Sequence, residues 1–486
     1  MTEAPSGPLA ATAARGVGIL VSRTLALQLL TVGVTLVLAR LLSPADYGLF
    51  AVATAVQSVA QVASGVGLSA ALIRQAGDPT RRQQRAVAGF LFATGIAFTA
   101  MMQAIAFLAL PAAGVDGNSI EVVAATTLAV PVYALRAVPM VLLERHLRFG
   151  RVALVETAET LSFNAFALVG ALVGLGAFSL AGAVPVAAAA GLLCAWALTR
   201  PSAGLSFDLA AVRPLAHFGM RASLLQILTL ARGLGFVSLI TAIGGTTTAG
   251  FYAMGSRLFS LPTALASAMQ RVSFPALARS PAERPRRAAR AATLSATLAS
   301  LPLAMLAGSS HALVTVVLGD RWLPTVNFVL TSAPGVLLAA SAIPAMVALA
   351  LSEGRPTVPI ASVICSALVM AVLTVAAVPS LGTTGVGMAM SGSTLVGLAV
   401  LGFTAEPEMR VAAMPLARAL ATGSFAAAIG YLAPFADSLA GLILQLTLVA
   451  AIWSALAALA MRDDLRSALR IARPMLTARM GDGAAD

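Results

Sequence analysis

The stretch TVPIASVICSALVMAVLTVAAV, residues Thr357–Val378, is an apolar run without a single charged side chain. A helix needs about 20 consecutive apolar residues to cross the hydrocarbon core of a bilayer, and this run reaches that length. A helix that is apolar on all sides must be surrounded by protein or by lipid. The run therefore predicts a membrane-spanning helix.

Similar apolar segments recur along the whole chain. In chain order the segments are Gly16–Leu41, Gly48–Ala76, Ala86–Leu110, Ile120–Leu143, Val152–Leu175, Phe178–Thr199, Pro214–Ile243, Ala249–Ala278, Ala291–Leu318, Pro324–Leu351, Thr357–Val378, Thr384–Thr404, Leu416–Ala433 and Ser438–Met461. They predict an all-α integral membrane protein with about fourteen transmembrane helices.

The composition agrees with residence in a membrane. Hydrophobic residues make up 59% of the chain and charged residues 10%, against roughly 45–50% and 25% in soluble domains. All 31 basic residues are arginine, and the absence of lysine excludes a Walker A phosphate loop and Schiff-base chemistry. The net charge of +12 does not indicate nucleic-acid binding, because the arginines lie between apolar segments, where membrane topology explains them.

The positions of the arginines predict the orientation of the chain. Alternate connections between the segments carry Arg81, Arg82, Arg85, Arg145, Arg148, Arg151, Arg200, Arg213, Arg279, Arg284, Arg286, Arg287, Arg290, Arg355 and Arg410. Among the intervening connections only one carries an arginine, Arg321. Since positively charged loops stay in the cytoplasm, both termini are expected to be cytoplasmic.

The two cysteines, Cys194 and Cys365, lie far apart in apolar runs. Neither has a neighbouring metal-ligand residue, so we interpret both as small buried hydrophobic residues. No metal site and no cofactor are expected.

A short internal repeat joins the two halves of the chain. Residues Pro44–Ala51 (PADYGLFA) resemble residues Thr246–Ala253 (TTTAGFYA), and each copy lies at the predicted outer turn between the first two helices of a half. Six helices separate the copies, so the halves share an orientation. Transporters commonly use two such lobes, with the substrate site between them.

Several motifs resemble those of one bacterial transporter family. They are Ala39–Gly48 (ARLLSPADYG), Gly67–Ile73 (GLSAALI), Arg145–Phe149 (RHLRF), Gly250–Tyr252 (GFY) with Arg257-Leu258 and Leu261-Pro262, Val272–Leu277 (VSFPAL) and Leu318–Trp322 (LGDRW). Together they resemble the bacterial polysaccharide flippases, the Wzx-type oligosaccharide transporters of the multidrug/oligosaccharidyl-lipid/polysaccharide flippase superfamily. The resemblance covers about residues 16–330; beyond that it rests on the number of helices.

The resemblance implies both a fold and a function. It implies two six-helix lobes around a central cavity, with two peripheral helices after them. Alternating access would carry an undecaprenyl-diphosphate-linked oligosaccharide from the cytoplasmic to the outer leaflet of the bacterial inner membrane, for export of O-antigen, exopolysaccharide or capsule. The implied partners are this lipid-linked substrate, membrane lipids, a polysaccharide polymerase and glycosyltransferases; no nucleic acid is expected.

The predicted domain organisation follows from the segments. It consists of a cytoplasmic N-terminus (1–15), an N-lobe (16–200), a C-lobe (201–404), helices 13 and 14 (405–461) and a cytoplasmic tail (462–486).

Arginines inside the predicted helices are the candidate ligands for a diphosphate. A guanidinium group matches phosphate oxygens and stays charged at any depth in the membrane. The candidates are Arg23, Arg232, Arg257, Arg136, Arg271 and Arg221. Arg257, Arg232 and Arg23 rank first, and the alternative for them is a structural role in which each pairs with a helix carbonyl or an acid. For Arg136, Arg221 and Arg271, snorkelling to the nearby interface is an equally good explanation.

The fifth predicted helix carries a polar face. Glu156 and Glu159 are about one turn apart, and Thr160 and Asn164 continue the face from Glu156. We consider Glu156, Glu159 and Asn164 candidates for ion coupling or gating; a static ion pair is the alternative. Many relatives carry an acidic residue in the seventh helix, where this chain has Arg232–Phe236, so ion coupling at that position is not expected.

Two alternative functions are weighed against the flippase. One is a related exporter of another cargo, either a peptidoglycan lipid precursor or a drug exchanged for a cation. The other is a membrane enzyme acting on lipid-linked sugars, which is disfavoured because such enzymes usually need a sizeable outer loop with catalytic residues. The predicted outer loops are short and offer only Asp46, Asp116, Asp320, Arg321 and Asp437.

Overall fold

The computed structural model of the chain describes residues 27, 29–65, 68–75, 77–109, 117–146, 148–199, 204–260, 262–263, 284–403, 413–433 and 438–462. These residues form helices and turns, and none of them lies in a strand. The described helices longer than five residues are α1 (Leu29–Leu41), α2 (Pro44–Gly65), α3 (Leu68–Arg74), α4 (Arg81–Ala104), α5 (Gly117–Thr127), α6 (Ala129–Arg145), α7 (Phe149–Leu172), α8 (Ala177–Thr199), α9 (Leu209–Leu258), α10 (Arg284–Gly308), α11 (Pro324–Ser352), α12 (Thr357–Leu381), α13 (Thr383–Phe403), α14 (Ala413–Leu432) and α15 (Leu439–Ala460).

The predicted fold class is confirmed. Each of the fourteen predicted segments contains helix, and within the described residues eleven helices are long and apolar enough to cross a membrane. Of the predicted first helix, the structure describes residue 27 and residues 29–41, and Leu29–Leu41 is a shorter apolar helix. The predicted seventh and eighth helices run together in α9.

The start of α2 is fixed by a capping box. The helix begins at Pro44, before the predicted start at Gly48. The Ser43 amide donates to Asp46 Oδ2 at 2.9 Å, and the Asp46 amide donates to Ser43 Oγ at 3.2 Å. This reciprocal pair satisfies amides that a helix start leaves open, and proline suits the first helical position.

The predicted fourth helix is interrupted, so that α5 ends at Thr127 and α6 begins at Ala129. Pro131 has no amide hydrogen to donate to the carbonyl of Thr127. That carbonyl instead accepts a hydrogen bond from Thr99 Oγ1 of α4, at 3.2 Å. A side chain on a neighbouring helix thus compensates for the missing backbone bond.

The backbone of α9 is broken at Gly245, which has φ 79° and ψ 169°. Only glycine adopts this conformation without strain. The break falls between the predicted segments Pro214–Ile243 and Ala249–Ala278, so α9 consists of two helices joined at this residue.

The chain divides into two compact units, Leu27–Gly250 and the part that includes Phe251–Asp486. In the first unit α2 packs on α5, α4 packs on α6, and α8 packs against α6 and α7. In the second unit α11 packs against α10 and α13, α13 also packs on α12, and α10 contacts α14 and α15. The lobe boundary at residues 200 and 201 stays a prediction.

Residues of two resemblance motifs meet in the second unit. The Trp322 side chain is completely buried, and the ring of Phe251 meets it edge-on, with 6.2 Å between ring centroids. The neighbouring Tyr252 meets Phe328 of α11 in the same way at 5.4 Å. Motifs far apart in sequence therefore form one aromatic cluster.

The second unit also contains a cavity of about 410 Å³ between α10, α11 and α14. Its lining is mainly alanine and leucine, with Ser300, Ser424 and Tyr431 as the polar members. Without a charged residue in its wall, this cavity suits hydrocarbon rather than a diphosphate.

Candidate functional site

An ion pair joins α6 to α7. The guanidinium of Arg136 donates a hydrogen bond to Glu159 Oε1. Each side chain leaves 18% of its surface exposed. Two of the predicted site residues, one from the arginine set and one from the acidic set, are thus brought together.

An aromatic ring completes the surroundings of Arg136. The guanidinium carbon lies 5.1 Å from the ring centroid of Tyr133, one helical turn earlier on α6. A cation over an aromatic face is attracted by the ring quadrupole. The spacing of three residues between Tyr133 and Arg136 was the sequence signal that could have identified this ring.

A glycine on α8 makes room for Glu159. A Cβ atom at Gly191 would overlap the carboxylate of Glu159 and lie 2.5 Å from its Cγ and Cδ atoms. Gly191 is buried, so the carboxyl group lies directly against the α8 backbone. Sequence reasoning missed this residue, since a glycine within an apolar run gives no sign of what packs on it.

The other two candidate residues on the polar face of α7, Glu156 and Asn164, differ in their exposure. Glu156 is exposed. Asn164 is 5% exposed, and its amide Nδ2 donates to the carbonyl of Thr160 at 2.8 Å and to Thr31 Oγ1 at 3.3 Å. Asn164 therefore connects α7 to α1.

The two highest-ranked described arginines lie in different compact units. Arg232 is half-buried in α9, within Leu27–Gly250. Arg257 is half-buried near the C-terminal end of α9, in the unit that includes Phe251–Asp486. Arg23 and Arg271 lie outside the described residues, as does the side chain of Arg221. The roles of all six arginines stay predictions.

Arg145, the first arginine of the RHLRF motif, has a structural role. Its guanidinium donates to the carbonyls of Leu72 at 2.9 Å and Gln75 at 3.0 Å, and also to that of Gly77. It also contacts Asp78 Oδ1 at 3.2 Å. Arg145 thus satisfies carbonyl groups at the C-terminal end of α3, where a helix leaves them open.

Another ion pair holds the connection between α8 and α9 on α4. Arg82 Nε lies 2.5 Å from Asp208 Oδ2, and the amide of Ser206 donates to the carbonyl of Arg85 at 3.0 Å. The hydrogen bond from Arg82 lowers the pKa of the Asp208 carboxyl below its usual value. Asp208 Oδ1 also accepts from the amides of Ala210 and Ala211, so the Asp208 side chain caps the start of α9.

In the described part of the chain, no group of three or more histidine, cysteine, aspartate or glutamate residues could hold a metal ion. The groups that the structure describes at the candidate site are the Arg136 guanidinium, the Glu159 carboxylate and the Asn164 amide. This set can bind an anion, or exchange a carboxylate for another anion.

The comparisons with known proteins agree with a transporter fold. The sequence profile of a family described as "Polysaccharide biosynthesis protein" matches residues 37–327, more than half of the chain. No curated protein matches the chain in sequence.

Solved structures of transporters resemble the chain over most of its length. A structure titled "Lipid II flippase MurJ, inward closed conformation" has a TM-score of 0.74 and 13% identity, and covers 92% of this chain and 99% of that one. Inward- and outward-facing structures of a multidrug resistance MATE family transporter of the MOP superfamily have TM-scores of 0.56 and 0.54. Both are 15% identical to this chain. The aligned region covers 94% of each of those chains, and 79% and 80% of this one, respectively. At these identities the likeness shows the fold.

Proposed function

The chain belongs to the polysaccharide biosynthesis protein family, and on this premise we propose that it is a flippase for an undecaprenyl-diphosphate-linked oligosaccharide. It moves this lipid from the cytoplasmic to the outer leaflet of the bacterial inner membrane, for assembly of O-antigen, exopolysaccharide or capsule. The family match over residues 37–327 is the observation that carries the proposal. The transporter fold supports it, and the proposal assigns no catalytic residue.

The physical task explains why charged residues lie within the membrane-spanning helices. A diphosphate and a hydrated glycan must cross hydrocarbon about 30 Å thick. An isolated charge there costs at least about 2.5–3.5 kcal/mol. A flippase therefore has to offer the headgroup a polar, positively charged path, while the prenyl tail stays in lipid.

Arg136 is suited to the phosphate-binding part of that path. Its charge is held within a membrane-spanning helix by Glu159 and by the face of Tyr133. A diphosphate carries the same charge sign as the Glu159 carboxylate and presents more oxygens to the guanidinium fork. In the proposed cycle the headgroup replaces Glu159 at Arg136, and Glu159 returns when the headgroup leaves.

Arg232 and Arg257 are proposed as further ligands of the headgroup. Both are half-buried on α9, on either side of the break at Gly245. Arg23, Arg221 and Arg271 complete the proposed set. Glu156 and Asn164 are proposed to act with Glu159 in gating, Asn164 through its bond to Thr31 of α1.

The proposal is tested by deleting the gene. The lipid-linked glycan should then accumulate in the cytoplasmic leaflet, where a membrane-impermeant lectin cannot reach it, and the wild-type chain should restore access. Normal appearance of the glycan in the outer leaflet of the deletion strain would refute the flippase function.

A peptidoglycan lipid precursor is the second candidate cargo. The observation in its favour is the TM-score of 0.74 with a lipid II flippase over 92% of this chain. The two cargoes are distinguished by expressing the chain in cells depleted of their own lipid II flippase. We expect no rescue of growth; rescue would assign the precursor as cargo.

A further inference from the structure

The two copies of the internal repeat touch each other through their glycines. Within the unit Leu27–Gly250, a Cβ atom at Gly48 would overlap the carbonyl oxygen of Thr246 and lie 2.8 Å from the amide nitrogen of Gly250. A Cβ atom at Gly250 would overlap the carbonyl oxygen of Pro44. The backbones of the two turns are therefore in direct contact.

The contact is reciprocal. In the repeat, Pro44 corresponds to Thr246 and Gly48 corresponds to Gly250. The glycine of each copy thus meets the carbonyl at the first position of the other copy. Reciprocal contacts of this kind are typical of two-fold symmetry. The two copies of the repeat are therefore similar in sequence and also contact each other through equivalent positions.

Each turn is held rigid on its own side of the contact. The start of α2 is fixed by the capping box of Ser43 and Asp46, and the Tyr47 side chain is completely buried. The other turn follows the break at Gly245, and Ala249 is completely buried. With both backbones fixed, an overlap at Gly48 or Gly250 cannot be relieved by rotating a side chain; the turns would have to separate.

We propose that the contact of Gly48 and Gly250 with the opposite turn is a latch on the outer side of the protein, which closes and opens once in each transport cycle. The inference rests on the proposed alternating-access function and on the predicted outer position of both turns. Glycine is required at both positions because any side chain would keep the latch open. A helix crossing that never separates is the competing interpretation.

Spin labels on the two turns test the latch. The full-length chain, with Cys194→Ala and Cys365→Ala, is labelled at Ala45→Cys and Thr247→Cys, which are equivalent positions of the repeat, and is studied in lipid nanodiscs. We expect dipolar broadening in this parent protein and its loss in Gly48→Ala and in Gly250→Ala. Gly65→Ala is the matched control, because it lies on the same helix as Gly48 with open space beside it. Broadening that persists in both alanine variants, or that is absent from the parent, would contradict the latch.

Cross-linking the same two cysteines provides a test that does not depend on folding of the alanine variants. We expect oxidation to stop the appearance of glycan in the outer leaflet, and reduction to restore it. Full transport with the turns cross-linked would show a static crossing and overturn the proposal. If the deletion strain shows that the flippase function itself is wrong, the loss of broadening in the alanine variants still tests the steric argument separately.

Discussion

The carboxylate of Glu159 lies between two partners, the guanidinium of Arg136 on α6 and the backbone of Gly191 on α8. The ion pair is neither fully buried nor fully exposed, with 18% of each side chain accessible. A surface pair contributes about 0–1 kcal/mol, whereas removing one partner of a buried pair costs about 3–5 kcal/mol. The coupling free energy of this half-buried pair should therefore lie between the two ranges.

A double-mutant cycle measures that energy. We expect Arg136→Gln and Glu159→Gln to show a coupling free energy of about 1–3 kcal/mol, because each single change leaves the other charge without its counter-ion inside the membrane. The measurement is the free energy of unfolding by sodium dodecyl sulfate in mixed micelles. Glu156→Gln, at an exposed position on the same helix, should leave stability within about 0.5 kcal/mol. Additive effects of the two single changes would show that the pair is not formed.

The substitution Gly191→Ala should disturb the ion pair without removing either charge. The new methyl group would take the place of the Glu159 carboxylate, so the carboxylate would have to leave Arg136 or α8 would have to shift. We expect a loss of stability similar to that of Glu159→Gln, and little further loss when the two changes are combined. The control is Gly150→Ala, where a Cβ atom meets nothing within 4 Å. If the stability losses of Gly191→Ala and Glu159→Gln were fully additive in the double variant, Gly191 would not act through the ion pair of Arg136 and Glu159.

The helices could be predicted from sequence because an apolar segment surrounded by lipid has to satisfy its own backbone hydrogen bonds, and an α-helix does so. Apolar length alone identified Thr357–Val378, and the helix found there is Thr357–Leu381. The boundaries depended on local chemistry that hydropathy does not measure. Ser43 and Asp46 extend α2 back to Pro44, and Pro131 divides the predicted fourth helix.

The site was less predictable, because it depends on contacts between helices. Arg136 and Glu159 were both identified as charges in predicted helices, but their pairing follows from the packing of α6, α7 and α8 around them. Nothing in the sequence around Gly191 indicates that a carboxylate packs against it. The reciprocal contact of Gly48 and Gly250 was visible in sequence only as a faint repeat, since similarity between two turns does not show that they touch.

Arg145→Lys should destabilise the protein although it keeps the charge. The planar guanidinium reaches the carbonyls of Leu72 and Gln75 together with the carboxylate of Asp78, and a lysine ammonium group cannot reproduce that geometry. Hydrogen bonds to charged groups are worth about 1.5–3 kcal/mol each, so we expect a loss of at least about 2 kcal/mol. Thermal unfolding in detergent provides the measurement. Arg81→Lys, at an exposed position, is the control, and equal melting temperatures for the two variants would exclude the capping role.

The ion pair of Arg82 and Asp208 should make stability depend on pH in the acidic range. Because the pKa of Asp208 is lowered in the folded protein, its contribution is fully present above the ordinary aspartate pKa of about 4 and is lost as pH falls through the lowered value. Asp208→Asn keeps an oxygen to accept from the amides of Ala210 and Ala211 but removes the charge. The melting temperatures of wild type and variant should differ by a constant amount from pH 7 to 5 and converge below about pH 4. A difference that stays constant down to pH 3 would exclude the charge as its cause.

Arg257→Ala and Arg232→Ala test the proposed headgroup site directly. Each change would remove a charge-assisted hydrogen bond to phosphate, worth about 1.5–3 kcal/mol, which corresponds to roughly a tenfold to hundredfold loss in the rate of glycan appearance in the outer leaflet. Arg257→Lys and Arg232→Lys keep the charge but not the fork, so they should retain part of the rate. Arg355→Ala serves as the control, because Arg355 contacts Glu353 at 3.5 Å between α11 and α12, away from every proposed ligand along the chain. Protein abundance must be equal in all variants, since a half-buried arginine also contributes to packing. Unchanged export in the alanine variants would remove both arginines from the site and leave Arg136 as the described candidate that remains.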